Sequence, residues 1–465
     1  MKHGPEANGS KANGPNSHGP GSRGPALHVA LLLTLTLVVY VPALQAGFQF
    51  DDFNVIVDNA QVHALRAWWE SMPGIRALLK LSYTLNWKLS AHPAGFHAFN
   101  IAVHALNAAL VLALVRRLAV TLAPASASAV PLLAALAFAL HPAQTEAVTY
   151  VSGRSVSLMG TFYLGALLLH LDGAARTGPE ITARLASPAL FALALATRET
   201  AWTLPLAIAL VQAVTQPGAS PWRATRAHWL VLSAAGLAAL AIPGYRRLLD
   251  GSISARSLWD NLLTQIDGVW YLICVPLLSL RTNIDPDLAV RTVADPLLLL
   301  RGAALLGLVA AAFALLRRHA WLGFGLLWFF LHLLPTNSVL PRLDVANDRH
   351  LYLALLGPAI IAAAALARLP AGHPRRGAAA GLVAALAVTS SLRNLDYRSE
   401  QALWSVTART SPHKARVWNN LGYAHALAGD TRAAHAAYAR ALQLNPAHAK
   451  AAANLRALDA APPSR

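Results

Sequence analysis

The chain has 465 residues, 55% apolar and only 13% charged, and carries a formal net charge of +17. A soluble domain usually holds about 25% charged residues, so this composition excludes an ordinary water-soluble globule. The positive balance also argues against nucleic-acid binding: Lys and Arg fall in short clusters between apolar runs, the pattern of membrane topology signals.

Residues 1–25 are rich in Gly, Pro, Asn and Ser, lack periodicity, and read as a disordered tail. Residues 27–46 contain no Asp, Glu, Lys or Arg and suffice for a first span, which needs roughly 20 apolar residues. The run is too long for a signal-peptide core and has no clear cleavage site. Lys2, Lys11 and Arg23 place the tail in the cytoplasm by the positive-inside rule.

A long outer loop, 48–95, follows, with Trp68 and Trp69 as interfacial residues. Span two (96–115) ends at Arg116-Arg117, and spans three (130–140) and four (157–171) flank a short outer loop, 141–155. The polar segment 172–184 is cytoplasmic. Two spans meet at Arg198-Glu199 within 185–214, and span seven covers 229–242. Residues 269–280 are short for a span. Arg317, Arg318 and His319 mark the cytoplasmic side, so parity requires 269–280 to be re-entrant or interfacial. Four further spans follow, 297–316, one ending near Pro335, 351–369 and 378–392, with the loop 336–350 outside; that makes about 11 crossings and leaves the C-terminus outside.

The C-terminal segment carries a second signal. Residues 415–448 fit the 34-residue TPR template, with Trp418, Leu421, Gly422, Ala434, Tyr438, Ala441 and Pro446 at its signature positions. Trp404 and Pro412 lie one 34-residue period before Tyr438 and Pro446, which makes 396–414 a half-repeat in register. One and a half repeats bury little surface alone, so the tail should pack on the membrane domain or on a partner. The expected architecture is all-α: a tail (1–25), a polytopic helical bundle (26–395) and a TPR domain (396–465).

An ionisable group costs about 2.5 kcal/mol or more at the bilayer centre, so polar residues in such a chain need a reason. They gather on the outer side. Asp51 and Asp52 follow span one directly; either they end the span, or one is a general base whose like-charged neighbour raises its pKa. His97, Asn100, His104 and Asn107 share one helical face, as interhelical polar contacts or as a cavity wall. The loop 141–155 holds His141, Glu146 and Arg154, more chemistry than a hairpin needs; Arg154 suits a lipid phosphate. Arg198-Glu199 reads as an ion pair across a turn or as a phosphate-binding Arg held by its Glu. Asp348 and Arg349 complete the set, with Asp344 and Asn347 in the same loop. Two histidines alone do not make a metal site.

These motifs resemble the class C glycosyltransferases, and most closely the transmembrane-and-TPR O-mannosyltransferase-like family. The resemblance rests on Phe50-Asp51-Asp52 with Asn59, on Gly95-Phe96-His97 with Asn100 and His104, and on His141-Pro142 with Glu146 and Gly153-Arg154. Arg198-Glu199 stands where that family usually has Lys-Glu, and Asn347-Asp348-Arg349 where it more often has Ala-Glu-Arg. The resemblance implies a polyprenyl-phosphate-linked sugar donor, mannose favoured, and a protein or glycan hydroxyl as acceptor, reached through the TPR segment. It implies Asp51 as base with Asp52 beside it. Arg154, Arg198 and Arg349 would hold the donor phosphate, and His97, Asn100, His104, His141, Glu146, Glu199 and Asp348 would support them. No cofactor is required by these residues; assistance by a divalent metal is left open. The Ala/Leu/Arg-rich composition points to a bacterial inner membrane with a periplasmic TPR tail. Two other readings stay open: a non-enzymatic scaffold recruiting partners through the TPR, and a lipid-linked sugar transporter or polymerase.

Overall fold

The computed structural model describes residues 23–175, 181–277 and 282–460; most of the tail expected at 1–25 lies outside the described residues. Every regular element among the described residues is helical. In chain order these are α1 (Arg23–Tyr40), α2 (Leu65–Glu70), α3 (Ala77–Leu89), α4 (Pro93–Leu122), α5 (Val130–Ala139), α6 (Thr145–Val148) and α7 (Arg154–Ala175). There follow α8 (Ile181–Thr197), α9 (Leu204–Thr215), α10 (Pro221–Ala241), α11 (Pro243–Ala255), α12 (Leu258–Leu277), α13 (Pro296–Arg318) and α14 (Ala320–Leu333). The last are α15 (Leu351–Ala354), α16 (Leu356–Leu366), α17 (His373–Asp396), and α18 (Glu400–Thr410), α19 (Ala415–Leu427), α20 (Thr431–Leu444) and α21 (Ala449–Ala460) of the C-terminal domain.

Five helices are long and apolar enough to cross a membrane, or up to seven if two bent pairs, α10–α11 and 348–366, each count as one span. Shorter apolar helices at Val130–Ala139, Leu185–Thr197 and Ala320–Leu333 complete the bundle. Apolar helices need no amphipathic stripe here, because lipid and protein interior are equally apolar; close packing decides their contacts instead. At Gly357 a Cβ would come within 2.1 Å of the Gly325 carbonyl oxygen, so only glycine permits this crossing of α14 and α16.

The two ends of the bundle differ. At one end Arg116 donates to the Pro25 carbonyl, Arg117 pairs with Asp172 at 2.7 Å, and Arg368 lies over the Trp321 ring. At the other end the segments 46–52, 141–155, 198–203 and 336–350 gather, and 46–52, Tyr150 and Asp344 meet the C-terminal domain. The C-terminal domain sits at the same end as Asp51, whose turn it touches through Gln49 and Phe50.

Helix α12, which contains the described part of the ambiguous stretch, lies along the 336–350 loop. Asn261 in its first turn donates to the Ser338 and Val339 carbonyls, Gln265 to the Val345 carbonyl, and the Tyr271 hydroxyl to Asp348. Beyond its end the Asn283 amide donates to Asp348 in the same loop. Residues 278–280 lie outside the described residues. Helix α11 is turned 88° from α10 and anchored where the Tyr245 hydroxyl accepts from the Arg76 amide.

The C-terminal helices pair as TPR hairpins, and the domain is docked rather than free. Its core of Leu403, Trp404, Val417 and Leu421 continues into Tyr150, Ile284 and Tyr397, which belong to the bundle and its loops.

Candidate functional site

The site begins with a strained turn. Phe50 has φ 48°, an unusual conformation for an aromatic residue and one that such structures hold only where surroundings enforce it. Those surroundings come from the TPR domain. Gln49 donates to the Tyr397 carbonyl, the Phe50 amide donates to Glu400, and the Phe50 ring meets Trp404 edge-on at 5.1 Å. The turn delivers Asp51 and Asp52 to different places.

Asp52 is buried. One carboxylate oxygen accepts from the amide and hydroxyl of Ser152 and the other from the Gln49 amide at 3.0 Å. Burial pushes its pKa up to about 7 against these hydrogen bonds. With both oxygens committed, Asp52 ties the turn to the 141–155 loop. That loop is itself tight: a Cβ on Gly153 would come within 2.1 Å of the Glu146 carbonyl oxygen.

Asp51 is half-buried, and its amide donates to the Tyr150 hydroxyl at 3.0 Å. Burial raises its pKa, while Arg349, a hydrogen bond to Tyr150 and Arg416 pull it down, and Asp344 pushes it up. Asp51 is thus the less committed carboxylate of the pair, and it faces an arginine.

Arg349 is the hub of that arrangement. Its amide donates to Glu146 at 3.0 Å, its Nε lies 3.4 Å from the other Glu146 oxygen, and its guanidinium is 3.8 Å from Asp344. It lines two small cavities. One, of about 10 Å³, is bounded also by Glu146, Tyr150, Asp344, Trp404 and Arg416. The other, of about 30 Å³, is bounded by Arg198, Thr336, His350 and Tyr352. Burial raises the Glu146 pKa to about 7, opposed by Arg349.

Arg198 lies across the second cavity. It is buried, donates to the Ser155 hydroxyl at 2.5 Å, and its Nε has no hydrogen-bond partner among the described residues. Arg76, Arg342 and Arg349 are its charged neighbours. Its expected partner is taken: Glu199 pairs with Arg76 instead, at 2.6 Å and 3.0 Å. The ion pair expected within Arg198-Glu199 is not formed: Arg198 is extended, and Glu199 bonds Arg76 instead. Burial opposes ionisation of Glu199, but Arg76 holds its pKa well below the usual carboxylate range.

Arg154 is elsewhere and saturated. It is fully buried, donating to Asn100 at 2.7 Å and to the carbonyls of Ser82 and Phe96, with the Phe99 ring 4.4 Å from the guanidinium. Having no donor group to spare, it does not join Arg198 and Arg349 at the cavities. Its neighbours on α4 bond mainly within the bundle. His97 meets the Ala46 carbonyl at 3.1 Å through Nε2, its buried Nδ1 having no hydrogen-bond partner among the described residues, and His104 meets Tyr352 and the Ala139 carbonyl. Asn100 donates to Val148 and Val151, and Asn107 to Ser157 and Tyr352. These four residues act as interhelical polar contacts.

His141 caps the turn that follows it, its Nδ1 accepting from Ala143 at 3.1 Å. Asp348 accepts from Tyr271 and the Asn283 amide, anchoring α12. Among the described residues no three His, Cys, Asp or Glu converge as a metal-binding group. A larger cleft of about 570 Å³ lies beside the Arg76–Glu199 pair, lined by Arg76, Lys80, Arg247, Ile75, Leu79 and Ile242.

Sequence reasoning missed Arg76, Tyr150, Arg342, Glu400 and Arg416. Arg76 is one of four Lys and Arg residues in the long outer loop, with Arg66, Lys80 and Lys88, and its spacing does not single it out.

Comparisons with known proteins agree with the resemblance. Residues 415–448 match the tetratricopeptide repeat family. The chain is 33% identical over 156 residues to protein O-mannosyl-transferase TMTC3 of Mus musculus, covering 30% of this chain and 16% of that protein. It is 30% identical over 282 residues to protein O-mannosyl-transferase Tmtc2 of Drosophila melanogaster, covering 55% of this chain and 29% of that protein. Protein O-mannosyl-transferase F38B6.6 of Caenorhabditis elegans is 29% identical over 160 residues, 31% of this chain and 23% of the relative. The chain thus spans less than a third of these relatives' length. No solved structure matches.

Proposed function

We propose that this chain is a glycosyltransferase of the O-mannosyltransferase type, taking a hexose from a polyprenyl-phosphate donor to a protein or glycan hydroxyl at the outer face of a membrane. The observation that carries the reading is the gathering, at one end of an apolar bundle, of Asp51 on a turn bonded to Tyr150 and of Arg349 against Glu146 and Asp344, Tyr150 and Arg349 lining one cavity. Transfer needs a base for the acceptor hydroxyl and a cation for the departing phosphate. The names of the relatives supply the hexose.

In this reading the acceptor oxygen attacks the anomeric carbon as its proton passes to Asp51. The bond from that carbon to the phosphate oxygen breaks, configuration inverts, and the phosphate takes the bonding pair. Arg349 and Arg198 stabilise the charge left on it, with Arg342 nearby. Asp52, Glu146, Glu199 and Asp348 hold the loops that present these groups. The large cleft combines Lys80 and Arg247 with an apolar wall at the break between α10 and α11, which suits a lipid phosphate arriving from the membrane. On this reading the N-terminus is cytoplasmic, the TPR domain is periplasmic, and the membrane is a bacterial inner one.

The test is sugar transfer in purified membranes from a labelled polyprenyl-phosphate hexose. Asp51→Asn should lower kcat/KM by about 10²–10⁴-fold, the usual contribution of a positioned base. Folded yield should stay unchanged, since Asp51 is the less committed of the two carboxylates. Full activity in Asp51→Asn would remove the base assignment, and no transfer by the wild-type chain with any hexose donor would remove the reading itself.

A further inference from the structure

We infer that the TPR domain is a working wall of the site, with Glu400 of its half-repeat and Arg416 of its full repeat as positioning residues that set Asp51 against Arg349. The inference rests on the proposed function for its assay, and on the geometry alone for its placement of the tail.

The tail grips the site at two points. Glu400, in the first turn of α18, accepts from the Phe50 amide with one oxygen and from the Trp404 indole at 2.6 Å with the other. Trp404 then packs edge-on against Phe50. Phe50 is the positive-φ residue immediately before Asp51, so its conformation decides where the Asp51 carboxylate points. Loss of Glu400 frees the one backbone donor that fixes this turn from the tail side.

The second grip is on the arginine. Arg416, in the first turn of α19, donates to Asp285 at 2.6 and 2.8 Å and to Asp344 at 2.6 Å. Lys414 also reaches Asp285, and Asn283 donates to Thr410 and Ser411. Asp344 in turn lies 3.8 Å from the Arg349 guanidinium. A chain of charge-assisted contacts therefore runs from α19 through Asp344 to Arg349, strongest where the guanidinium fork meets two carboxylates.

Both grips end at one cavity. Trp404 and Arg416 form its tail side; Glu146, Tyr150, Asp344 and Arg349 form its bundle side. A free adaptor domain would need none of this. Partly buried charges held in such a network are costly to leave half-paired, so the tail and the site are expected to move as one body.

Six charged or titratable groups face Asp51: Asp52 on its own turn, Tyr150, Asp344, Arg349, Glu400 and Arg416. Removing Arg416 takes away a favourable charge. The acid limb of the pH profile should move to higher pH in Arg416→Ala.

The experiment uses the full chain in nanodiscs, comparing Arg416→Ala, Arg416→Lys, Glu400→Gln and, as a control on the exposed tail surface, Leu427→Ser. The first reading is hydrogen exchange, which needs no activity. Arg416→Ala should lose protection in 342–350 and Glu400→Gln in 48–54, with the spans and the control unchanged. The second is kinetics per folded enzyme. Arg416→Ala should lower kcat by about tenfold to a hundredfold, the scale of an ångström-sized misplacement, and shift the acid limb upward. Arg416→Lys should recover part of both. Unchanged exchange in both loops overturns the inference whatever the kinetics. Activity falling only in proportion to folded protein, with an unmoved acid limb, overturns it too. Altered exchange in a wild-type chain that transfers no sugar would instead sustain the placement and remove the proposed function.

Discussion

Two polar regions lie side by side in this bundle, and their hydrogen bonding differs. In the wall of α4 and α7, every side-chain nitrogen of Asn100, His104, Asn107 and Arg154 has a partner in a carbonyl, the Tyr352 hydroxyl or one another, His97 Nδ1 being the exception in that wall. At the mouth, Arg349 is shared loosely between Glu146 and Asp344, Arg198 keeps an unpartnered Nε, and Asp51 faces an arginine across a turn. Inside lipid an unsatisfied polar group costs several kcal/mol, so a saturated network there is what a stable bundle requires. An unsaturated one at the mouth keeps capacity for a substrate. Polarity at membrane depth is thus divided between holding helices and doing chemistry, and saturation tells which.

The sharpest way to break that division is to remove the hub of the mouth. Arg349→Ala should lower kcat/KM by about 10²–10³-fold, the scale of losing one preorganised donor to a developing charge. The thermal transition in nanodiscs should move little, because Arg349 makes long contacts. Loss of the fold in place of loss of rate would place Arg349 with the wall residues, and the contrast would fail.

The wall gives the opposite expectation. Arg154→Met keeps the aliphatic stem but deprives Asn100, Ser82 and Phe96 of their donor. It should cost about 3 kcal/mol of stability, as several buried acceptors lose their partner. Transfer per folded molecule should stay near the wild-type value. Thermal unfolding and active-enzyme counting on one sample separate the two quantities. A variant that folds normally and fails to bind a polyprenyl-phosphate donor would return Arg154 to the phosphate role that its sequence context suggested.

That reversal for Arg154 shows where sequence legibility ends. Apolar runs sufficed for an all-helical bundle with several helices long and apolar enough to cross a membrane. Signature spacing sufficed for the TPR segment, down to Trp404 one period before Tyr438. Each depends on local composition or a fixed period, which a single chain displays. Which residue satisfies which group does not. Arg198 and Glu199 are neighbours in sequence, yet Glu199 pairs with Arg76, 123 positions away. Glu400 and Arg416 meet Phe50 and Asp344 only because the C-terminal domain lies against the face that carries the first loop. No spacing or composition foretells such a contact, and the functional half of the cluster was hidden for that reason.

The smallest expected effect tests the wall at its least charged member. Asn107 donates to the Ser157 carbonyl at 2.7 Å and to the Tyr352 hydroxyl at 2.8 Å, and accepts from Thr161 at 2.8 Å. Three such bonds would suggest a large loss. Within a membrane, however, single interhelical hydrogen bonds contribute about 0.6 kcal/mol on average, because the separated helices find other partners. Tyr352 also keeps His104 at 2.9 Å when Asn107 is gone, so its hydroxyl is not left bare. Asn107→Leu should therefore lower stability by only about 1–2 kcal/mol, with donor KM and the acid limb of the pH profile unmoved. A change in KM would mean that the wall, saturated as it is, still bears on the mouth. The route would be Tyr352, which touches Asn107 on one side and lines the Arg198 cavity on the other.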